Sequence, residues 1–228
     1  LFTSGTTGVP KRIGVGHSAL PNFLEWQVRR FGVTCEDRVS MLSGLAHDPV
    51  MRDIFLPLSQ GATLTIPRQD MLRDPRALKD WLRAERPTII HTTPPMGRLL
   101  SSLEKGLKLP GSRLVFWGGD MLPAELVQAT ARANTSLTQV NFYGASETPQ
   151  AVLHHVWQDN ADANGTTCPV GKPPEGVRVT LKGPEGQVCD VNEIGEVEVH
   201  TPYFVSVNDV QVSGDAGCRQ IYRTGDLG

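Results

Sequence analysis

Residues 113–144 read RLVFWGGDMLPAELVQATARANTSLTQVNFYG, and this stretch decides the fold. Two short apolar runs, at 113–117 and 139–142, predict strands, and glycine follows each of them closely. The residues between them, 123–133, are predicted to form a helix. A strand, a helix and a second strand in this order predict parallel strands in an α/β layer.

The same alternation continues toward the amino terminus. Further strands are predicted at 38–43, 62–66 and 88–91. Further helices are predicted at 17–31, at 49–58, at 96–103 and from Asp74-Pro75 onward. Asp74 is the expected N-cap of its helix, and Pro75 suits the first turn.

Beyond residue 163 the pattern changes. The β-branched stretches 177–181, 188–189 and 196–200 predict short strands, and the glycine-rich segment between the first two predicts a turn. We therefore expect an α/β core over 1–163, with a largely parallel sheet and flanking helices. A small antiparallel β subdomain is expected over 164–228.

Composition excludes several classes of function. The chain has 228 residues, with 22 basic and 24 acidic side chains and a formal net charge of −2. It therefore lacks the excess of basic residues that is typical of proteins that bind nucleic acid or an anionic membrane. No apolar run approaches the roughly 18 residues that span a bilayer. The scattered cysteines predict free thiols in a reducing, cytoplasmic compartment; they are Cys35, Cys168, Cys189 and Cys218.

The amino-terminal segment predicts a phosphate-binding loop. It reads Thr3-Ser4-Gly5-Thr6-Thr7-Gly8-Val9-Pro10-Lys11. Glycines let backbone N–H groups converge on one point, hydroxyls add donors, and Lys11 adds a cation. The segment is not a Walker P-loop, because that pattern cannot be written onto it. The alternative is a flexible linker rich in serine, threonine and glycine.

Two further segments extend this interpretation. One reads NFYGASET over 141–148, and the other reads YRTGDL over 222–227. In order along the chain, the three segments resemble the signatures [YF]TSGTTGxPK, NxYGxTE and Y[RK]TGD of the adenylate-forming superfamily. That superfamily comprises acyl-CoA synthetases, luciferases and the adenylation domains of nonribosomal peptide synthetases, and the resemblance covers essentially the whole chain.

The resemblance implies a reaction and its cofactors. The family joins a carboxylate to the α-phosphate of ATP and releases pyrophosphate. It implies that the loop from Thr3 to Lys11 holds the β- and γ-phosphates, that Ser146 reaches the α-phosphate, and that Glu147 helps to hold Mg²⁺. Ser146 stands where the family usually has threonine.

The resemblance also implies which residues contact the nucleoside of ATP. Gly118 and Gly119 would let the backbone approach adenine, while Tyr143, with Gly144 beside it, would lie along the adenine or ribose. Asp226 would accept hydrogen bonds from both ribose hydroxyls. For each residue taken alone there is a structural alternative: Glu147 as a solvated surface acid, Tyr143 as a core residue and Asp226 as a turn cap.

The sequence HDPVMRDIF over 47–55 points to the substrate. It resembles the motif in which peptide-synthetase adenylation domains place an aspartate on the substrate ammonium, and more closely that of aminoadipate reductases. Asp48 matches that aspartate. If the segment is helical, Arg52 shares a face with Asp48 and can bind a second carboxylate or a polar side chain. The alternative is a surface ion pair of Arg52 with Asp48 or Asp53.

The same resemblance places four more residues along the substrate pocket, namely His91, Phe116, Phe142 and Gln150. The leading hypothesis is activation of an amino acid as aminoacyl-AMP, for loading onto the phosphopantetheine thiol of a carrier-protein domain, expected in cis. The first alternative is an acyl- or aryl-CoA ligase in which Asp48 is accidental. The second is an inactive nucleotide-binding fragment, because the family's C-terminal domain and its lysine are expected after residue 228.

Overall fold

The computed structural model describes residues 2–3, 11–45, 47–102, 107–148, 150–162, 164–203, 205–207, 210–211 and 220–228. The chain forms two compact units. The α/β unit consists of Gln27–Tyr143 and His154–Gly171. The β unit consists of Leu1–Trp26, Gly144–Leu153 and Lys172–Gly228. The domain boundary predicted at residue 163 remains a proposal.

The helices and strands are numbered along the chain. The helices are α1 Ala19–Phe31, α2 Pro49–Gln60, α3 Pro75–Glu85, α4 Pro94–Ser101, α5 Ala124–Ala133 and α6 Asp159–Asp162. The strands are β1 Phe2–Thr3, β2 Lys11–Val15, β3 Arg38–Ser40, β4 Thr63–Thr65, β5 Ile89–Thr92, β6 Leu114–Trp117, β7 Thr138–Tyr143, β8 Leu153–Val156, β9 Arg178–Lys182, β10 Glu196–Thr201, β11 Val205–Val207, β12 Val210–Gln211 and β13 Gln220–Leu227.

A six-stranded sheet forms the centre of the α/β unit, in the order β4-β3-β5-β6-β7-β8. The pairings from β4 through β7 are all parallel. The β unit contains antiparallel strands in a three-stranded sheet, β13-β10-β9, and a four-stranded sheet, β1-β2-β11-β12. The predicted fold class, a mostly parallel sheet with helices and a small antiparallel sheet, is confirmed.

One face of the parallel sheet carries the main apolar core. Side chains alternate between the two faces of a strand. Ile90, Val115 and Trp117 therefore share a face, and they pack in one buried cluster with residues of α3, α4 and α5. Gly97 of α4 lies against this cluster, where an added Cβ would stand 2.5 Å from Cζ3 of Trp117. A larger residue there would have to displace a buried indole.

Local hydrogen bonds set the element boundaries. The Asp74 side chain caps α3 as predicted, accepting from the backbone N–H groups of Arg76 and Ala77 at 2.9 and 3.3 Å. Helix α4 begins before the predicted residue 96, because the Thr93 hydroxyl caps it by accepting from Met96 N–H. Strand β3 ends at Ser40, short of the predicted residue 43.

The predicted strand at 188–189 is wrong. Val188 forms only an isolated bridge with Lys182, because a tight turn at Gly183–Gly186 intervenes. Six strands were not predicted, namely β1, β2, β8, β11, β12 and β13. His154 and His155 lie in β8. Within the described part of the chain, no helix has the length and apolar character needed to cross a membrane.

Candidate active site

Three predicted pocket residues lie side by side on the sheet of the α/β unit. His91 of β5 pairs in register with Phe116 of β6, and Phe142 lies two residues beyond the β7 partner of Phe116. All three side chains therefore project from the same face. The His91 and Phe116 ring centroids are 5.0 Å apart, and those of Phe116 and Phe142 are 4.9 Å apart. The result is a stacked aromatic wall.

Arg52 of α2 lies at the Phe142 end of this aromatic wall. Its guanidinium carbon lies 5.4 Å from the centroid of the Phe142 ring, within the range of a cation–π contact. Only 8% of Arg52 is exposed, so the alternative of a surface ion pair is wrong. Burial lowers the pKa of Arg52, and the negative charges of Asp53 and Asp48 oppose that shift. Arg52 is thus a buried cation beside the aromatic wall, and its role toward a substrate remains a prediction.

Asp48 directly precedes α2, as the motif required. Its backbone has φ −56° and ψ −31°, and its side chain makes no capping hydrogen bond to the helix. Its negative charge acts on Arg52, which lies one turn further along. Asp48 is the N-cap of α2 and Arg52 is its fourth residue, so the two lie four positions apart at the start of this helix.

Asp53, next to Arg52 and against His91, is a buried acid that the sequence analysis did not select as a site residue. It is fully buried, and its Oδ2 accepts a hydrogen bond of 3.1 Å from Ser43 N–H. Its Oδ1 lies 3.0 Å from His91 Nδ1. A signal for it existed in the helical spacing, because Asp53 lies three residues from Val50 and from Leu56, which are both buried.

The His91 ring is held from both sides. Burial lowers the pKa of His91, the charge of Asp53 opposes the shift and that of Arg52 adds to it, so the ring is neutral. The amide Nε2 of buried Gln27 lies 3.0 Å from His91 Nε2. If the Gln27 amide donates in this contact, His91 Nε2 is the acceptor and the ring proton resides on Nδ1, on the side that faces Asp53.

The predicted adenine residues follow two neighbouring strands. Gly118 and Gly119 come directly after β6, and Tyr143 ends β7. Gly119 has a φ of +82°, which favours glycine. A Cβ on Gly118 would stand 3.4 Å from the Phe142 carbonyl oxygen. These residues lie at the carboxyl ends of parallel strands, where open α/β sheets bind ligands.

In the β unit, a tight turn presents Ser146 and Glu147. Thr148 closes the turn, because its backbone N–H donates to Ala145 O at 2.9 Å and its Oγ1 accepts from Ala145 N–H at 2.9 Å. Gly144 precedes the turn. An added Cβ there would meet the backbone oxygen of Gln150, so the chain passes itself too closely for any other residue.

Tyr222 connects two of the sequence signatures within the β unit. Burial raises the pKa of the Tyr222 hydroxyl to about 12, with the charges of Glu147 and Asp226 and a hydrogen bond with Glu147 adding to the shift. Glu147 and Asp226, predicted to bind Mg²⁺ and ribose, therefore both lie near this one phenol. Tyr222 is the first residue of the third signature, and the sequence analysis did not predict it as a site residue.

Part of the predicted phosphate loop lies outside the described residues. This applies to Ser4, Gly5, Thr6, Thr7 and Gly8. The two ends of the loop are paired, since Thr3 of β1 is opposite Lys11 of β2 in an antiparallel register. Gln150 belongs to the β unit and has a positive φ of 61°. Its predicted role in the substrate pocket remains a prediction.

The parallel sheet, the small antiparallel sheet and the three signatures together define an adenylate-forming domain. The sequence model described as AMP-binding enzyme matches residues 1–207, and the chain belongs to that family. The resemblance drawn from the three signatures is thereby confirmed.

Related proteins support the same class. L-2-aminoadipate reductase of Saccharomyces cerevisiae is 35% identical over 206 residues, which cover 87% of this chain and 15% of that protein. A linear gramicidin synthase from Brevibacillus parabrevis is 30% identical over 246 residues, covering 100% of this chain and 4% of that protein. The chain spans less than a fifth of the length of either relative.

Solved structures show the same fold. The nonribosomal peptide synthetase FmoA3, in its AMPPNP-bound form, has a TM-score of 0.85 and 29% identity, over 100% of this chain and 25% of that one. The Vibrio cholerae adenylation domain AlmE, in complex with glycyl-adenosine-5′-phosphate, has a TM-score of 0.86 and 24% identity, over 100% of this chain and 44% of that one. The second likeness concerns the fold alone.

Proposed function

We propose that this domain activates an α-amino acid with a polar or acidic side chain, forming aminoacyl-AMP and pyrophosphate from ATP. The observation that carries the proposal is the buried Arg52, stacked on Phe142 and under the charges of Asp48 and Asp53. A buried guanidinium beside an aromatic wall is suited to a planar, anionic or polar group. The kinship with peptide synthetases supports loading of the product onto the phosphopantetheine of a carrier domain.

Substrate recognition follows from the charges in the pocket. Asp48 would bind the α-ammonium group, and Arg52 would bind the end of the side chain. The charges of Asp48 and Asp53 offset that of Arg52 when no substrate is present. A substrate with both an ammonium and a second carboxylate would give Asp48 a cation and Arg52 an anion. The 35% identity with L-2-aminoadipate reductase makes 2-aminoadipate the first such compound to assay.

The residues present fit ATP and Mg²⁺. Glu147 and Asp226 both act on Tyr222, so the β unit gathers oxygen ligands and acceptors near one point. The described residues contain no cluster of three metal-binding side chains. A single carboxylate is sufficient, because Mg²⁺ at nucleotide sites is bound by one or two carboxylates together with substrate phosphates and water. Glu147 would supply that carboxylate, and the bound Mg²⁺ would neutralise phosphate charge.

The proposed reaction is an in-line displacement at phosphorus. A carboxylate oxygen of the amino acid attacks the α-phosphorus of ATP, and the bond from that phosphorus to the pyrophosphate oxygen breaks. The protein contributes alignment and charge neutralisation. Lys11 and Thr3, with the intervening loop, would hold the β- and γ-phosphates, and Ser146 would contact the α-phosphate. Gly118, Gly119 and Tyr143 would receive the adenosine, with Asp226 on the ribose.

ATP–pyrophosphate exchange with the full-length protein tests the proposal. The panel contains 2-aminoadipate, glutamate, glutamine, leucine and lysine, together with adipate, which lacks the ammonium group. We expect exchange with an acidic or polar amino acid and little with leucine or adipate. A preference for adipate would instead support an acyl-CoA ligase. Exchange with no carboxylate, despite measurable ATP binding, would support a nucleotide-binding module without activity.

A further inference from the structure

The strand that carries Asp226 is interrupted by a β-bulge. In the antiparallel pair of β13 and β10, Arg223 lies opposite Glu198 and Leu227 lies opposite Glu196. Between these two pairs the chain advances by two residues along β10 but by four along β13. Strand β13 therefore has extra residues, and they fall within 224–226. Gly225 in this bulge has a φ of +79°, which glycine tolerates without strain. The bulge takes Asp226 out of the regular ladder.

The bulge lies between two fixed points. On one side, Arg223 Nε donates a hydrogen bond of 3.3 Å to Oε2 of Glu198, whose side chain is buried. On the other side, the backbones of Gly195 and Gly228 exchange hydrogen bonds of 3.1 and 2.9 Å. The conformation of the residues between these points therefore determines where the Asp226 carboxylate stands.

The Thr224 hydroxyl fixes that conformation. Its Oγ1 donates to Val197 O of β10 at 3.0 Å and accepts from Asp226 N–H at 3.1 Å. One hydroxyl thus connects the backbone of the neighbouring strand with the backbone of Asp226. Gly225 N–H is held separately by Glu196 Oε1 at 3.3 Å. Valine has the shape of threonine but offers neither donor nor acceptor, so it would release Asp226 N–H.

We propose that Thr224 is a positioning residue for the nucleotide, holding the Asp226 carboxylate where it accepts both ribose hydroxyls. The inference rests on the proposed function, because it assumes that ATP is the nucleotide and that Asp226 contacts its ribose. Thr224 itself contacts backbone atoms, and it acts on ATP through Asp226. Its loss should therefore weaken recognition of the ribose without removing the carboxylate.

The test compares ATP with 2′-deoxy-ATP and 3′-deoxy-ATP in pyrophosphate exchange by the full-length protein. A hydrogen bond to a charged group corresponds to about a tenfold change in affinity, so the wild type should discriminate against each deoxy analogue by about that factor. In Thr224→Val we expect the KM for ATP to rise about tenfold and this discrimination to fall toward that of Asp226→Ala. The value of kcat should change less than about threefold.

Thr224→Ser retains the hydroxyl and should keep the wild-type discrimination. Thr63→Val is the matched control, since Thr63 is exposed on β4 of the other unit. Discrimination is a ratio of KM values and does not depend on how much enzyme is folded. The inference is overturned if Thr224→Val keeps the wild-type ratio while Asp226→Ala lowers it. If Asp226→Ala also keeps that ratio, the proposed ribose contact itself is wrong.

Discussion

His91 Nδ1 lies 3.0 Å from Oδ1 of Asp53, and both side chains are buried. This contact connects helix α2, which carries Arg52, with the first ring of the aromatic wall on the sheet. The charged end and the aromatic face of the proposed pocket are therefore held together by one short polar contact. The negative charge of Asp53 acts on both neighbours, because it opposes the lowering by burial of the pKa of His91 and of the pKa of Arg52.

Asp48→Ala should remove recognition of the ammonium group. Loss of one partner from a desolvated charge pair costs about 3–5 kcal/mol, so kcat/KM for the amino acid should fall at least about a hundredfold. The KM for ATP should stay within about twofold. Pyrophosphate exchange measures both quantities, with Asp70→Ala as the control, because Asp70 pairs with Arg68 at the surface. Full activity of Asp48→Ala would refute the amino-acid hypothesis.

Arg52→Met should change which substrate is preferred. Methionine replaces most of the buried volume and keeps an apolar contact with Phe142, but it removes the cation. We expect kcat/KM for an acidic substrate to fall about a hundredfold, and that for an uncharged amino acid to fall much less. The ratio of the two rates is the measured quantity. An unchanged ratio would mean that Arg52 serves the fold alone.

Gly144→Ala should impair the site around Glu147. The new Cβ would meet the backbone oxygen of Gln150, so the turn that presents Ser146 and Glu147 must shift. Exchange activity should fall at least about tenfold, and the Mg²⁺ concentration for half-maximal rate should rise. Gly186→Ala is the control. Gly186 has a positive φ, of 82°, so alanine strains its backbone, but no atom lies within 4 Å of its added Cβ. Equal losses in both variants would contradict the prediction.

Asp37→Asn should reduce stability in a pH-dependent manner. Arg113 holds the Asp37 carboxylate with two hydrogen bonds, of 2.9 and 2.7 Å. Burial alone would raise the pKa of Asp37, but bonds from Arg113, Thr34 and Thr88 hold it below its usual value. This stabilisation is therefore present above about pH 4, the unfolded value, and is lost as the pH falls through the folded pKa.

Urea unfolding at pH 7 and at about pH 3 measures this effect. At pH 7 the Asp37→Asn variant should lose about 2 kcal/mol of the free energy of unfolding. The difference from the wild type should shrink at the lower pH, where the stabilisation by the wild-type carboxylate is being lost. Asp80→Asn, at a surface pair with Arg83, should change stability by less than about 0.5 kcal/mol. A difference that is independent of pH would contradict the assigned cause.

Cys168 should be chemically inert in the folded protein. Burial, with a smaller contribution from Asp162, raises the pKa of the Cys168 thiol to about 12. Since the thiolate is the reactive form, iodoacetamide at about pH 8 should leave Cys168 unmodified. Cys35 is exposed and should be alkylated under the same conditions. Mass spectrometry of digested protein separates the two sites, and equal labelling in the folded state would disprove the prediction.

The α/β unit was the more predictable part of the chain. Its strands, helices and caps are local features, and Asp74 or the strand before Gly118 can be identified from a few neighbouring residues. The alternation of side chains also places Phe116 and Phe142 on one face once parallel pairing is assumed. Asp53 was missed because a lone acid in an apolar helix is more often exposed than buried against a histidine.

The β unit was harder to predict, because its pairing is non-local. Strand β2 pairs with β11, so Val15 lies opposite Val205 although nearly the whole chain separates them. The residues around Lys11 carry no sequence signal that identifies β11 as the partner strand. Strand β13 was overlooked for a second reason: its signature contains Gly225, which predicts a turn and here forms a bulge within a strand.

The aromatic wall has a consequence for redesign. Its three side chains project from neighbouring parallel strands whose backbone hydrogen bonds do not depend on side-chain identity. Exchanging Phe116 or Phe142 for a smaller apolar residue would open space at the proposed substrate pocket while leaving the strands in register. The penalty is stability, about 3–5 kcal/mol for a buried Phe→Ala change. Under the proposed function, one scaffold can therefore accommodate many specificities, and moderate substitutions such as Phe→Leu are the practical route to altering them.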